Sequence, residues 1–513
     1  MAFFTKYLVF DMFIGLVSLF FLAYLYMTRK FKYWKKQGIT EVTPIPFVGN
    51  FGACLIAKKS AGRWIQDIYE WGSGLPYVGL YIFDKPALLF RDPELVKNVL
   101  VRDFNYFQDR YARASPHDRL GDANLFLLKN PAWKLVRTKL TPIYTSGRLK
   151  KMFELMVEIG NDLSTHMENL HLEGEGKTLE MKELAAKFTT DMIATTAFGV
   201  KANSLNDPNA EFRQCGRKIF ETSLYRNFEL TAIFFAPSLV KPLNLQFMSK
   251  EGADFLRNTM SSVINERERS GFKRNDLIDL LVELKNNAKN DSAFKNLFDF
   301  SGDNLVAQAA VFFNGGFETS SSVISFTLYE LALHPEIQSK LREEINDALH
   351  ESDGKITYEM VMNMPYMDMC VSETLRKYPP LPFLDRVTTE NYKIPNSNIT
   401  LEKGTPVVIS VSGLHFDSEY FPDPDKYDPE RFSSENKKAT KPFVYIPFGE
   451  GPHICIGMRI GLLQSKLGLI KLLSEYEFTP CNETLIPMQL TPKSVLTTAL
   501  GGIYLNTKKI KAA

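Results

Sequence analysis

The sequence predicts a mainly α chain with small β-sheets, an α+β fold, preceded by one membrane-spanning helix. Three observations carry this. Residues 305–333 are apolar nearly all round in their first half and read as one long buried helix, roughly 40 Å at about 1.5 Å per residue. Residues 149–284 are mostly helical in pattern. The strand candidates, 77–82, 87–90 and pieces between 387 and 411, are short and bounded by Gly and Pro. The 513 residues suffice for a large core, and 39 Phe suit a large apolar interior or cavity. Length alone suggests two or three domains. A net charge of +2 gives no sign of a nucleic-acid partner. Five scattered cysteines, an odd number, argue against a disulfide framework and for a reducing compartment.

Taken in order, residues 7–28 approach the roughly 20 apolar residues that span a bilayer, with Asp11 their one charge. A cleaved signal peptide is the alternative, but no small-residue cleavage site follows. Arg29, Lys30, Lys32, Lys35 and Lys36 alternate with Phe31, Tyr33 and Trp34 as an interfacial collar, and this charge places the remainder on the cytoplasmic side. Pro44 and Pro46 make residues 43–50 a stiff linker. The expected division is therefore 1–28 as signal anchor, 29–50 as basic collar and proline-rich hinge, and 51–513 as the globular domain.

Residues 62–71 read as a short helix, and Asp92-Pro93 caps another. Residues 104–128 lack periodicity and read as a long loop. Trp133 and Arg137 lie one helical turn apart on one face; alone, such a pair is a surface cation–π contact. The apolar stretch 230–240 has a central Pro237, so it cannot be an ordinary helix. A core segment is the plain reading, and a loop dipping into the membrane is the preferred one. Residues 285–304 are polar and read as a solvated loop. In the middle of the long helix, Gly315 and Gly316 each cost about 1 kcal/mol relative to Ala, which suggests a kink or a close approach. Glu318 and Thr319 follow, a carboxylate and a hydroxyl able to hold water. Glu373 and Arg376 are spaced i,i+3 and can pair. Residues 496–504, with Gly501-Gly502, read as a closing hairpin.

The organising stretch is 447–457, which contains Phe448, Gly449, Gly451, His453, Cys455 and Gly457 and runs into a helix-like segment. Its glycines allow close backbone approach, and the following helix dipole should favour a thiolate. One soft thiolate can hold an iron whose other ligands come from a porphyrin. Zinc would need more protein ligands at metal spacing.

Phe448-x-x-Gly451-x-x-x-Cys455-x-Gly457 resembles the haem-binding signature of the cytochrome P-450 monooxygenases, most like an insect microsomal member that metabolises foreign compounds. The resemblance covers nearly the whole chain. It implies the cytochrome P-450 fold and haem b with its iron on Cys455. Trp133, Arg137, Arg386 and His453 would meet the haem propionates, although the family usually has Arg at position 453. Gly315, Gly316, Phe448 and Gly457 would complete the haem site. Glu318 and Thr319 match the oxygen-activating motif, where water passes protons. Glu373, Arg376 and Arg431 match the family's structural ion network. Phe126, Phe312, Phe313, Leu381, Phe383 and Leu496 match substrate-contact regions, for a small lipophilic substrate. Without a dinucleotide fingerprint, electrons from NADPH must arrive through a partner flavoprotein. The implied partners are NADPH–cytochrome P-450 reductase, cytochrome b5 as an optional second donor, and membrane lipid. The implied place is the endoplasmic reticulum membrane, with the catalytic domain on its cytoplasmic face. A haem-thiolate isomerase or dehydratase acting on peroxides would need neither reductase nor proton relay. A haem sensor or lipid-binding protein would need neither motif.

Overall fold

The computed structural model describes residues 8–274, 276–288 and 296–510. Its spine is the unbroken helix Gly302–Leu333. The helices Met181–Ile193, Met458–Leu473 and Lys250–Ser270 pack around it. The approach of the first is close because Gly316 has no side chain: a Cβ there would lie 2.8 Å from Ile193 Cδ1. The spine ends at His334, and Pro335 opens the next helix, Pro335–Glu351, as a first-turn proline should.

A four-stranded sheet flanks this helical body, in the order Tyr77–Ile82, Lys85–Phe90, Pro406–Ser410, Phe383–Val387. Leu89 pairs with Val408 in parallel, and Leu384 with Ile409 antiparallel. Its last strand carries Phe383 and Arg386. Lys177–Glu180, Tyr504–Lys509 and Tyr476–Thr479 form a second, antiparallel sheet.

Several expectations change. Lys177–Glu180 is a strand inside a stretch that reads as helical, because four residues give no period and their partner, Tyr504–Lys509, lies at the far end of the chain. The hairpin expected at 496–504 lies earlier. Thr491 N–H donates to the Thr498 carbonyl (2.9 Å) and Leu500 N–H to the Gln489 carbonyl (2.8 Å), which leaves Leu496 near the tip. The stretch 230–240 is not a loop: Leu224–Phe235 is a helix, Pro237 opens a short second one, Pro237–Val240, and Ile233, Phe234 and Phe235 are buried in the core around Trp64 and Phe383. The helix Leu277–Ala288 runs past Lys285, where a loop was expected. Residue 7 of the expected span and residues 289–295 of the expected loop lie outside the described residues.

The membrane-proximal segment changes most. Leu8–Thr28 is a helix long and apolar enough to cross a membrane, and its apolar side chains are almost all exposed. Behind it, Trp34 is no interfacial residue. It is fully buried, its Nε1–H donates to the Leu80 carbonyl (3.1 Å), and a Cβ on Gly79 would strike its ring at 2.6 Å. Phe31 packs on Tyr81 (ring centroids 5.3 Å apart). The proline linker is likewise tied down: Val42 N–H donates to the Gly79 carbonyl (2.9 Å), and Phe47 rests on Phe20 of the apolar helix (5.2 Å).

Candidate active site

The loop at residues 447–457 is shaped by its backbone. Gly449 and Gly451 have φ of +70° and +71°, the left-handed region that costs an ordinary residue roughly 1–2 kcal/mol. At Gly451 a Cβ would also lie 2.0 Å from the Leu100 carbonyl oxygen. Gly449 N–H donates to the Ile446 carbonyl (3.0 Å), and Cys455 N–H donates to the Phe448 carbonyl (2.9 Å). The chain therefore doubles back just before the helix Met458–Leu473 and presents the Cys455 thiol to the interior. Cys455 keeps accessible surface although protein surrounds it in depth, as a group on an internal wall does. Burial pushes this thiol up. The Gly457 N–H and Met458 N–H and the charges of Arg137 and Arg110 pull the other way, and burial wins. The helix dipole alone thus does not make the expected thiolate; a bound metal cation would.

Three guanidiniums converge beside the loop. Arg110, Arg137 and Arg386 all act electrostatically on His453. Arg386 is buried; its Nη1 donates to the Asp385 carbonyl (2.7 Å), and its Nε has no hydrogen-bond partner among the described residues. Arg110 Nη1 lies 3.4 Å from Asp385 Oδ1, and its Nε is also orphaned. Burial, reinforced by Arg110, pushes Arg386 down to about 9. Buried donors without acceptors are costly, and among the described residues Asp385 is the one carboxylate paired with these cations. Two carboxylates of a bound group would meet that demand, as a haem's propionates do. The residues present therefore fit a haem. Arg110 escaped sequence reasoning because nothing in the aperiodic segment Asp109-Arg110-Tyr111-Ala112-Arg113 separates it from Arg113.

The helix Ala132–Leu140 supplies Trp133 and Arg137. Trp133 stacks on the His453 ring (centroids 3.8 Å apart). His453 is not arranged as the expected propionate ligand. Its Nε2 is 2.7 Å from the Gln108 carbonyl, so that nitrogen carries the hydrogen. Burial and the three guanidiniums hold the ring far below its usual range, hence neutral.

On the central helix, a Cβ built on Gly315 meets no atom within 4 Å, and Gly315 is exposed in the middle of a buried helix. The Thr319 hydroxyl lies one turn along and donates to the Gly315 carbonyl (2.6 Å). Glu318 does not join it. Its carboxylate pairs with Lys182 Nζ at 2.9 Å. Consecutive helical residues point about 100° apart, so a Glu–Thr dipeptide cannot share one face.

The expected substrate wall divides. Phe126 lies 4.2 Å beneath the Arg110 guanidinium, and Phe312 packs on Tyr144, a half-buried residue near Cys455 (ring centroids 5.6 Å apart). Phe313 is no wall residue. It is fully buried among Phe198, Phe212 and Phe317, because it points about 100° from Phe312. Phe383 is fully buried against Phe234 and Phe235. Leu381 packs half-buried on the sheet-side core. Leu496 borders a separate cleft of about 860 Å³ with Tyr378, Pro379 and Pro382, and Cys455 does not line it.

The ion network forms as expected. Arg376 grips Glu373 through Nε (2.7 Å) and Nη2 (2.8 Å), both side chains fully buried, and Arg431 Nε lies 3.4 Å from Glu373 Oε1. His415 continues the brace. Its Nδ1 is 3.0 Å from the Arg376 carbonyl, and its Nε2 accepts from Ile446 N–H (3.0 Å), at the entrance to the cysteine loop.

Residues 42–506 match the cytochrome P450 family. The chain belongs to that family. It is 47% identical to cytochrome P450 6k1 of Blattella germanica, over 98% of each chain. It is also 47% identical to probable cytochrome P450 6g2 of Drosophila melanogaster, over 95% of this chain and 96% of that one. With cytochrome P450 6j1 of Blattella germanica the identity is 44%, over 95% of each. The protein is accordingly a monooxygenase of foreign or endogenous compounds, with haem held by a cysteine thiolate and electrons derived from NADPH through a reductase. Nothing in these relatives favours a peroxide isomerase. The apolar N-terminal helix agrees with membrane anchoring.

Proposed function

We propose that Cys455 Sγ is the iron ligand of this P450, and that Arg110, Arg137 and Arg386 hold the haem propionates. The observation that carries the assignment is the pair of buried, orphaned Nε atoms on Arg110 and Arg386 beside an inward-facing thiol. Gly315 and Gly457 keep the two faces free of side chains, and Phe448 and Trp133 border them; Gly316, expected with them, faces Ile193 instead. When bound, the haem supplies oxygen activation, favoured by its electron-donating thiolate. The chain orients, excludes water and manages protons. With its hydrogen on the Gly315 carbonyl, Thr319 Oγ1 offers lone pairs that accept from a water and aim it. Glu318, about 100° round the helix and paired with Lys182, would reach that water only through a further relay water and only once Lys182 lets go.

Phe126 and Phe312 form the apolar side of the pocket, which suits a small lipophilic substrate. The exposed Lys134, with Lys139 and Arg148, faces an acidic reductase surface; NADPH–cytochrome P-450 reductase is the expected donor and cytochrome b5 the second. The basic run after the anchor supports an endoplasmic reticulum protein with its catalytic domain, from residue 51, on the cytoplasmic face. The test is reconstitution with reductase, NADPH and a lipophilic substrate. Wild-type protein should show the red-shifted reduced carbon monoxide band of thiolate-bound haem and substrate-dependent oxygen uptake. Cys455→Ser should lose both, and a normal band in that variant would refute the ligand.

A further inference from the structure

His453 stands where the family usually has Arg, yet it is built into the protein in a different way. Its Nε2–H is given to the Gln108 carbonyl, so that ring nitrogen is already spent on a main-chain acceptor. The ring packs against both Trp133 and Phe104 (centroids 3.8 and 5.4 Å away), which also touch each other (6.0 Å). The same Gln108 carbonyl accepts from Asn130 Nδ2 (3.1 Å), and Asn130 N–H donates to Asp109 Oδ1 (2.9 Å). The Asp109 carbonyl accepts from Val387 N–H (3.0 Å), next to Arg386. The next residue is Arg110, with its orphaned Nε. We infer that His453 is a positioning residue: it grips the Gln108 carbonyl and so sets Arg110, which takes over the propionate contact that an arginine at 453 would make.

This rests on the haem reading above, and the test keeps the two apart. Two quantities are measured on holoenzyme: haem transfer to excess apomyoglobin, and hydrogen–deuterium exchange of the amides at 104–108. His453→Phe keeps the stack and removes the donor. It should speed exchange at 104–108 about tenfold, the effect of one lost buried hydrogen bond, and speed haem transfer about threefold. Arg110→Gln should speed transfer tenfold or more. In the Arg110→Gln background, His453→Phe should add nothing to transfer, because it acts through Arg110. His453→Gln, whose amide can still donate to Gln108, should restore protection. If the two transfer effects multiply while exchange at 104–108 stays unchanged, His453 contacts the haem directly and the inference is wrong. A His453→Gln variant as fast in exchange as His453→Phe would also overturn it. If instead the haem reading were at fault, wild type would show no thiolate-haem spectrum, while the exchange arm would still report the latch.

Discussion

The cysteine loop and the central helix both depend on glycines, for opposite reasons. At Gly451 there is no room, since its own φ and the Leu100 carbonyl exclude any side chain. At Gly315 the place of the missing Cβ is open, and only Gly316 behind it is pressed by another helix. One side of the site is thus held rigid by main chain and a buried ionic brace. The other is shaped by what a helix leaves off.

Four experiments would break or sharpen this contrast. The largest effect should come from the brace. Arg376→Leu leaves the buried Glu373 with only the more distant Arg431 Nε (3.4 Å) as its cation among the described residues and should cost about 3–5 kcal/mol, read as lower haem incorporation and an earlier denaturant midpoint. Gly451→Ala should follow, at roughly 2–4 kcal/mol from backbone strain and overlap, read in the same way. The two helical glycines should then part company. Gly316→Ala meets Ile193 and should cost about 1–3 kcal/mol, whereas Gly315→Ala should gain up to about 1 kcal/mol from helix propensity. Equal effects would dissolve the distinction. The smallest effect concerns pH. Burial holds His415 down to about 3, below its unfolded value near 6.5. Between those values the unfolded chain binds the extra proton, so stability falls as pH falls. Denaturant titrations should lose roughly 0.7 kcal/mol between pH 7 and 6, and His415→Asn should lack that part of the slope.

The same contrast explains what could be read from sequence. The spine, the Glu373–Arg376 pair and the helical turn from Trp133 to Arg137 follow from local spacing, and each forms, whereas Arg431 as their third partner is implied by the family resemblance alone. Features made by crossing elements do not follow. Phe312 and Phe313 are the same residue type side by side, and only the packing of Phe198 and Phe212 tells wall from core. Glu318 adjoins Thr319 in sequence, but Lys182, 136 residues earlier, decides where its carboxylate goes. Arg110 acquires meaning only when residue 109 is laid against Val387.

The buried Trp34 bears on where the N-terminus can be cut. This indole plugs the surface over Gly79, and Phe31 packs on Tyr81 beside it, so the residues just after the apolar helix belong to the core of the first sheet. Soluble versions made by trimming the N-terminus should keep everything from Phe31 onward, or they will open a greasy hole in the first sheet.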